Sequence, residues 1–263
     1  MINKLISTVL EAGNEILKVY ETDFTIQEKK DKSPITEADK ISHEIIVRNL
    51  KNLIPEIPVI SEEGDKEFIF ADRFWLVDPL DGTKEFINRN GEFTINITLV
   101  EDYIPVLGVV FAPALGLLYF SQKGKGAYKV NIKTQQKIKL PVRQEIRENT
   151  LRVVVSRSHS DERTKKYLEK LSERFSIEKV SVGSSLKICL LVEGKADIYP
   201  RTGPTMEWDT AGAHAVLLEA EGVILSTKAN MKCGEELRYG KENLKNPPFI
   251  AFRTRKLSEE LCP

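Results

Sequence analysis

Residues 74–83 read FWLVDPLDGT, an apolar run that ends on Asp78 and Asp81, three residues apart around a proline. The run has the aromatic and aliphatic make-up of a buried strand, and DPLDG has that of a tight turn. A strand that delivers two carboxylates at its end puts them where layered α/β folds place their sites. On one tight turn Asp78, the Leu80 carbonyl and Asp81 can offer hard oxygen ligands to one side, as a small divalent cation requires. Gly82, Thr83 and Lys84 then read as a helix start whose free backbone N–H groups suit a phosphate. DPLDG alone is equally readable as an ordinary turn, because Asp, Pro and Gly form turns for backbone reasons.

Upstream of this stretch, VIS at 59–61 is a short apolar strand that runs into Glu62 and Glu63. Ile41, Ile45, Ile46, Leu50 and Leu53 fall at helical spacing before Pro55 and Pro58, and Thr36 with Asp39 three residues on resembles a capping box. An earlier helix is marked by Ile2, Leu5, Ile6, Val9, Gly13, Ile16, Leu17 and Tyr20. Downstream, residues 93–100, 106–112, 117–121 and 126–130 have strand character with short polar or glycine-bearing connections. The pattern predicts two helices on a largely antiparallel sheet.

From Leu151 the pattern alternates. LRVVV is a strand, 161–175 a helix, 177–180 a strand, 184–193 a helix, 197–199 a strand, 208–221 a helix and 223–225 a strand. Such alternation indicates an α/β lobe. The polar stretch 141–149 separates the two patterns, so the expected division is an α+β lobe over residues 1–145 and an α/β lobe over 146–263. The charged tail 253–263 is read as a short surface helix or a disordered end.

A chain of 263 residues can bury a sizeable core. Lys+Arg and Asp+Glu stand at 39 each, and this zero balance argues against a surface that tracks nucleic acid while leaving room for a local patch that grips one small anion. Cys189, Cys233 and Cys262 are odd in number and lack CxxC spacing, which suggests neither a disulfide framework nor a structural zinc site and fits a cytoplasmic protein. The N-terminal residues lack the continuous apolar centre of a signal peptide, and no run approaches a membrane span. Abundant Lys, Glu and Ile point weakly to heat tolerance.

Three more acids bear on the DPLDG pair, each with an ordinary structural role of its own. Glu62 and Glu63 can be a solvated strand end, although adjacent acids repel unless solvent or a cation intervenes. Asp39 can be a first-turn helix carboxylate. Asp209 in MEWDTAGAHAV opens an apolar helix and can be its cap.

ITEAD, SEE after VI, WLVDPLDGTKEF and WDTAGAHAV, in this order and spacing, resemble the inositol monophosphatase superfamily of lithium-sensitive phosphatases. DPLDGTKEFINRNGEFTINITLV, VSRSHSD, VGSSLKICLLVEGKADIYPR and GPTMEWDTAGAHAV are similar to the bacterial branch of its 3'(2'),5'-bisphosphate nucleotidase group. The resemblance runs from the first helix to about residue 252. It implies a layered αβαβα sandwich and a hydrolase that converts 3'-phosphoadenosine 5'-phosphate to AMP, with a place in sulfur metabolism. It also implies two or three Mg2+ ions held by Glu62, Asp78, the Leu80 carbonyl, Asp81 and Asp209. Asp39 would position a third ion or its water, and Thr83 would orient the attacking water, so Asp39, Glu62 and Thr83 carry the catalytic assignment. Substrate contacts implied in the same way are Asp81, Gly82, Thr83, Lys84, Glu85 and Asp209 around the turn, and His159, Ser184, Lys187 and Arg201 in the second lobe. Lys187 and Arg201 suit the phosphate that is not cleaved. Each of these last four has an ordinary reading as a loop residue, a helix cap or a solvated charge.

The rivals are an inositol monophosphatase or a fructose-bisphosphatase of the same superfamily, and, from another class, a non-catalytic sensor of a phosphorylated nucleotide. Lys84 and Glu85 after DGT depart from the TTNF pattern usual in inositol monophosphatases, and a degenerated sensor would be expected to lose metal carboxylates that are all present here. The sequence leaves Mg2+ against Mn2+ and a homodimer open.

Overall fold

The computed structural model describes residues 1–28, 34–64, 71–142, 149–155, 162–228 and 231–262. The chain begins with α1 (Ile2–Tyr20), a ribbon of β1 (Ile26–Glu28) and β2 (Pro34–Thr36), and α2 (Glu37–Leu53). Next come β3 (Val59–Ser61), β4 (Arg73–Asp81), α3 (Thr83–Ile87), β5 (Thr94–Glu101), β6 (Ile104–Ala112), β7 (Leu117–Gln122), β8 (Gly126–Asn131) and β9 (Gln136–Leu140). The remainder is β10 (Thr150–Val155), α4 (Glu162–Ser172), β11 (Ser176–Ser181), α5 (Leu186–Val192), β12 (Ile198–Arg201), α6 (Trp208–Glu219), β13 (Val223–Thr227), β14 (Cys233–Glu236), β15 (Phe249–Phe252) and α7 (Arg255–Leu261).

The first sheet runs β3-β4-β5-β6-β7-β8-β9, with β3 parallel to β4 and every later neighbour antiparallel. The second runs β11-β10-β12-β15-β13-β14, its first three strands parallel and the rest antiparallel. The period of two along each strand sorts side chains between layers. On β4, Trp75 and Val77 join Leu5, Val9, Ile16, Ile45 and Ile46 of α1 and α2 in one core, while Phe74 and Leu76 join residues of α5 and α6 in another. On β15, Phe249 and Ala251 face that same middle core, and Ile250 and Phe252 pack with Leu171, Leu257 and Leu261 of α4 and α7 in a third. The result is α1/α2, sheet, α5/α6, sheet, α4/α7, the expected five layers.

Position in this sandwich explains the composition of α6. Its residues Thr210 to Leu217 are buried on all sides because a helix between two sheets has no solvent face. Gly108 on β6 lets it approach closely, since a Cβ there would stand 2.3 Å from the Gly212 carbonyl oxygen.

Four features differ from the sequence expectation. The ribbon β1–β2, the polar edge strand β9 and the short strands β14 and β15 have too little apolar periodicity to be read locally. The tail takes the helical one of its two expected forms as α7, with Thr254 accepting a bond from the Leu257 N–H, but its buried Leu257 and Leu261 tie it to the second sheet instead of leaving it on the surface. Cys233 and Cys262, read as unpaired, form a disulfide with Cα atoms 5.7 Å apart, because α7 brings the chain end back beside β14. The helix predicted over 208–221 closes two residues earlier, at Glu219. Among the described residues, no helix is long and apolar enough to cross a membrane.

Candidate active site

β4 is hydrogen-bonded to β5 as far as Asp78 and Asn96, and the register then slips before Asp81 meets Thr94. Pro79 has no N–H to continue the ladder, so the strand loosens where the two acids stand. Asp78 Oδ1 accepts from the Leu80 N–H at 3.1 Å, and Ser42 Oγ of α2 donates to the Pro79 carbonyl at 2.7 Å, fastening the turn to the helix beneath it. β3 is parallel to β4, and the Glu62 N–H donates to the Val77 carbonyl at 3.1 Å. Glu62 therefore leaves its strand at the same end as Asp78.

Asp39 does more than start α2. Its Oδ2 accepts from the Thr36 N–H at 2.7 Å and from Thr36 Oγ1 at 2.6 Å, while its Oδ1 faces Thr83 Oγ1 at 3.4 Å. The cap on α2 and the contact with Thr83 are thus made by different oxygens of one carboxylate. Asp209, in the first turn of α6, accepts from the Met206 N–H through Oδ2 at 2.9 Å. The turn ahead of it is held by Asn246, whose amide donates to the Met206 carbonyl at 2.8 Å and to Thr210 Oγ1 at 2.9 Å. Buried Glu207 accepts from the Gly240 and Lys241 N–H groups at 2.6 and 3.0 Å.

Electrostatics connects these acids. Burial first, then the negative charges of Glu62, Asp81 and Asp209, push the Asp78 carboxyl well above the usual carboxylate range. Asp209 is raised well above it by burial and by Asp81, against the Met206 N–H. Asp81 is raised by burial, with Lys187 and the Ser185 hydroxyl pulling the other way and Glu62 and Glu85 adding repulsion. Mutually repelling carboxylates, Asp78 buried and Glu62, Asp81 and Asp209 half-buried, with oxygen-only donors are the setting in which a hard divalent cation is stabilised, so the donor chemistry fits Mg2+. Among the described residues the side chains as they stand do not gather three such groups around one point, an arrangement that repulsion between carboxylates opposes.

α5 and β12 meet this cluster. Asp81 and Asp209 line a hollow of about 110 Å3 together with Ser184, Ser185, Lys187, Tyr199, Arg201 and Thr205. Ser184 is buried, holds a left-handed backbone with φ 48°, and its Oγ lacks a hydrogen-bond partner among the described residues. Lys187 Nζ donates to the Ser184 carbonyl at 3.0 Å, and Arg201 donates to the Pro204 carbonyl at 3.1 Å while its buried Nε has no partner among the described residues. Tyr199 and Arg201 also line a larger adjoining cavity of about 500 Å3, with Val155, Leu168 and Ile177 on its apolar side and Lys165 and Lys179 as further cations.

The remaining residues singled out in the sequence are placed as follows. Gly82, at φ 92°, leads into α3, a helix of five residues, and a Cβ there would come within 3.3 Å of Ser184 Cβ, so the turn after β4 nearly touches the segment that leads into α5. Glu85 packs against Gly183 close enough that a Cβ on the glycine would stand 2.5 Å from Glu85 Cγ, whereas Lys84 is exposed. Leu80 is buried within the turn. His159 lies outside the described residues.

Two residues escaped the sequence reading. Ser185 Oγ lies 2.7 Å from Asp81 Oδ2, 2.9 Å from the Asp209 carbonyl and 2.7 Å from Asn96 Nδ2. In GSSLK the second serine looks like a mere helix start, and only the neighbouring elements reveal its partners. Asn96 left a signal: an amide in the middle of the buried run TINITLV requires a buried partner.

Comparison with known proteins matches residues 1–262 to the model of the inositol monophosphatase family. The 3'(2'),5'-bisphosphate nucleotidase CysQ of Salmonella typhimurium is 42% identical over 258 residues, covering 95% of this chain and 98% of that protein. The crystal structure of CysQ from Bacteroides thetaiotaomicron, 41% identical, superposes with a TM-score of 0.81 over 96% of this chain and 97% of that one. An IMPase/NADP phosphatase solved with Mg2+ and phosphate shares the fold at 19% identity, with a TM-score of 0.76. Matching in sequence over nearly its whole length and in five-layered architecture, the chain belongs to the inositol monophosphatase family.

Proposed function

We propose that this protein is a Mg2+-dependent 3'(2'),5'-bisphosphate nucleotidase that hydrolyses the 3'-phosphate of 3'-phosphoadenosine 5'-phosphate to AMP and phosphate, using two or three ions. The observation that carries the reading is the meeting of the acid cluster with a cationic hollow: Asp81 and Asp209 share one cavity with Lys187 and Arg201, which opens beside a larger one. A small monophosphate needs only the first hollow, whereas a nucleotide with a second phosphate also uses the cations and the space beyond them. Near-full-length likeness to relatives named as bisphosphate nucleotidases supports the same substrate.

In this reading Glu62, Asp78, the Leu80 carbonyl, Asp81 and Asp209 hold the metal. When bound, Mg2+ supplies Lewis acidity that activates water at neutral pH and offsets charge on the phosphoryl group. Asp39 orients the Thr83 hydroxyl, and a hydroxyl that donates to a carboxylate keeps its lone pairs for a water proton, which aims the nucleophile. Lys187 and Arg201 bind the phosphate that stays, and Ser184 Oγ and Arg201 Nε, without partners among the described residues, find acceptors in the substrate.

The test is phosphate release from 3'-phosphoadenosine 5'-phosphate and from inositol 1-phosphate, with Mg2+ and with EDTA. The expected result is Mg2+-dependent turnover with kcat/KM favouring the nucleotide by at least tenfold. A large preference for inositol 1-phosphate, or turnover indifferent to EDTA, refutes it.

A further inference from the structure

Ser185 stands where four elements meet. It opens α5, faces Asn96 of β5 in the first sheet, and lies against both Asp81 at the end of β4 and the Asp209 carbonyl of α6. Ser185 is 3% exposed and Asn96 is 1% exposed, so neither has water to fall back on. A serine hydroxyl carries one proton and two lone pairs. Asn96 Nδ2 can only donate, so at 2.7 Å it occupies a lone pair and turns the proton away from itself. Two acceptors then compete for that proton, Asp81 Oδ2 at 2.7 Å and the Asp209 carbonyl at 2.9 Å. The carboxylate is the stronger acceptor and the nearer one.

We propose that Asn96 and Ser185 act as one positioning device for the catalytic turn: Asn96 orients the Ser185 hydroxyl, and the hydroxyl fastens Asp81 by Oδ2 so that Oδ1 is the oxygen offered to the cation. This inference rests on the reading of Asp81 as a metal ligand. The device also joins the lobes, because Asn96 and Asp81 belong to the first sheet while Ser185 and Asp209 belong to the helices of the middle layer. Neither residue touches substrate in this assignment; both work through Asp81.

The test uses Ser185→Ala, Ser185→Thr, Asn96→Ala and the Ser185→Ala/Asn96→Ala double variant of the whole chain. Mg2+ affinity is measured without substrate, by isothermal titration and by the Mg2+-induced rise in melting temperature, and Mg2+ activation of phosphate release is followed in parallel. Ser185→Ala is expected to weaken Mg2+ binding about tenfold, the scale of one charge-assisted hydrogen bond. The Mg2+ needed for half-maximal activity should rise by a similar factor, with most of kcat recovered at saturation. Ser185→Thr keeps the hydroxyl and should recover to within about threefold of the wild type. Asn96→Ala should weaken binding in the same direction, and the double variant should be no worse than Ser185→Ala, because both residues act through one proton. Unchanged Mg2+ affinity in Ser185→Ala, or losses that simply multiply in the double variant, overturn the proposal. Should Ser185→Ala fail to fold, Asn96→Ala decides, and wild-type Mg2+ affinity there is the overturning result. A wild-type chain that neither binds Mg2+ nor releases phosphate defeats the functional reading and this inference with it, whereas an active wild type beside an unaffected Ser185→Ala defeats the inference alone.

Discussion

Replacing Gly108 by alanine should damage the site from a distance, because α6 rests on β6 at this glycine. A Cβ on Gly108 would stand 2.3 Å from the Gly212 carbonyl oxygen and 2.7 Å from Ala215 Cβ, where ordinary contact begins near 3.4 Å. The nearest obstacle is backbone, which cannot swing aside as a long side chain can. The helix and strand must therefore part by roughly 1 Å, since a close-packed interior has no slack to absorb it. Overpacking of this kind costs about 1–3 kcal/mol. In a chain of this size each kcal/mol lowers Tm by roughly 2–4 °C, so a fall of about 2–12 °C is expected. The functional effect should be larger. Asp209 rides on the first turn of α6, and its carbonyl is a partner of Ser185. A misplacement near 1 Å at a reacting centre can cost on the order of 100-fold in rate. Thermal melts and kcat/KM for the bisphosphate nucleotide, both at saturating Mg2+, measure the two consequences. Wild-type Tm together with wild-type kcat/KM in Gly108→Ala would refute the reasoning that close contact with β6 sets the position of Asp209.

Asp78→Asn should leave the metal-free fold at least as stable, because it removes one of several buried, mutually repelling charges, while cutting Mg2+-dependent turnover by about 100-fold or more; a melt in EDTA and a Mg2+ titration of activity check both halves. Glu193 lies at the end of α5, accepting from Tyr119 Oη at 2.5 Å, Lys129 Nζ at 2.6 Å and Lys195 Nζ at 2.9 Å. Burial would raise its pKa, but the bonds from Lys129, Lys195 and Tyr119 outweigh that and hold it below the usual 4.5. Its stabilisation is accordingly full above about pH 4.5 and is lost as pH falls through the lower folded-state value. Glu193→Gln should cost on the order of 3 kcal/mol at pH 7, by leaving largely buried Lys129 unpaired, and should flatten this acid limb in melts taken from pH 3 to 7. Cys233 and Cys262 close a loop across a separation of 29 residues, so dithiothreitol or Cys262→Ser should lower stability by roughly 3–4 kcal/mol; thiol titration of the unfolded, oxidised chain should count one free cysteine, Cys189, and a count of three would refute the pairing.

Much of this architecture could be read locally. Strong periodicity marked α1 and α2, an almost unbroken apolar run marked α6, and the strands around DPLDG lay close to where the pattern put them, because each has a face or a pair of faces committed to a core. The missed strands share a cause. β9 is a charged edge strand and β15 a four-residue run, yet β15 sits between β12 and β13 in the second sheet. Its identity as a strand comes from neighbours that arrive from elsewhere in the chain, and a local window cannot contain them. The tail was ambiguous for the same reason, since Leu257 and Leu261 become core only when the second sheet stands behind them.

At the site the division is sharper. Residue type and spacing along the chain were enough to nominate Asp39, Glu62, Asp78, Asp81 and Asp209, because hard-cation chemistry demands carboxylates and because strand ends and helix starts are visible as composition. Which of these acids feel one another, which oxygen of Asp39 caps α2 and which faces Thr83, and that Ser185, itself bonded by Asn96, reaches Asp81 are all decided by folding. Hydrogen bonds act over about 3 Å in space, and here they join residues 89 and 104 positions apart in sequence. The candidate chemistry is therefore legible in the sequence, and the geometry that brings these residues together exists only where the two sheets close on α5 and α6.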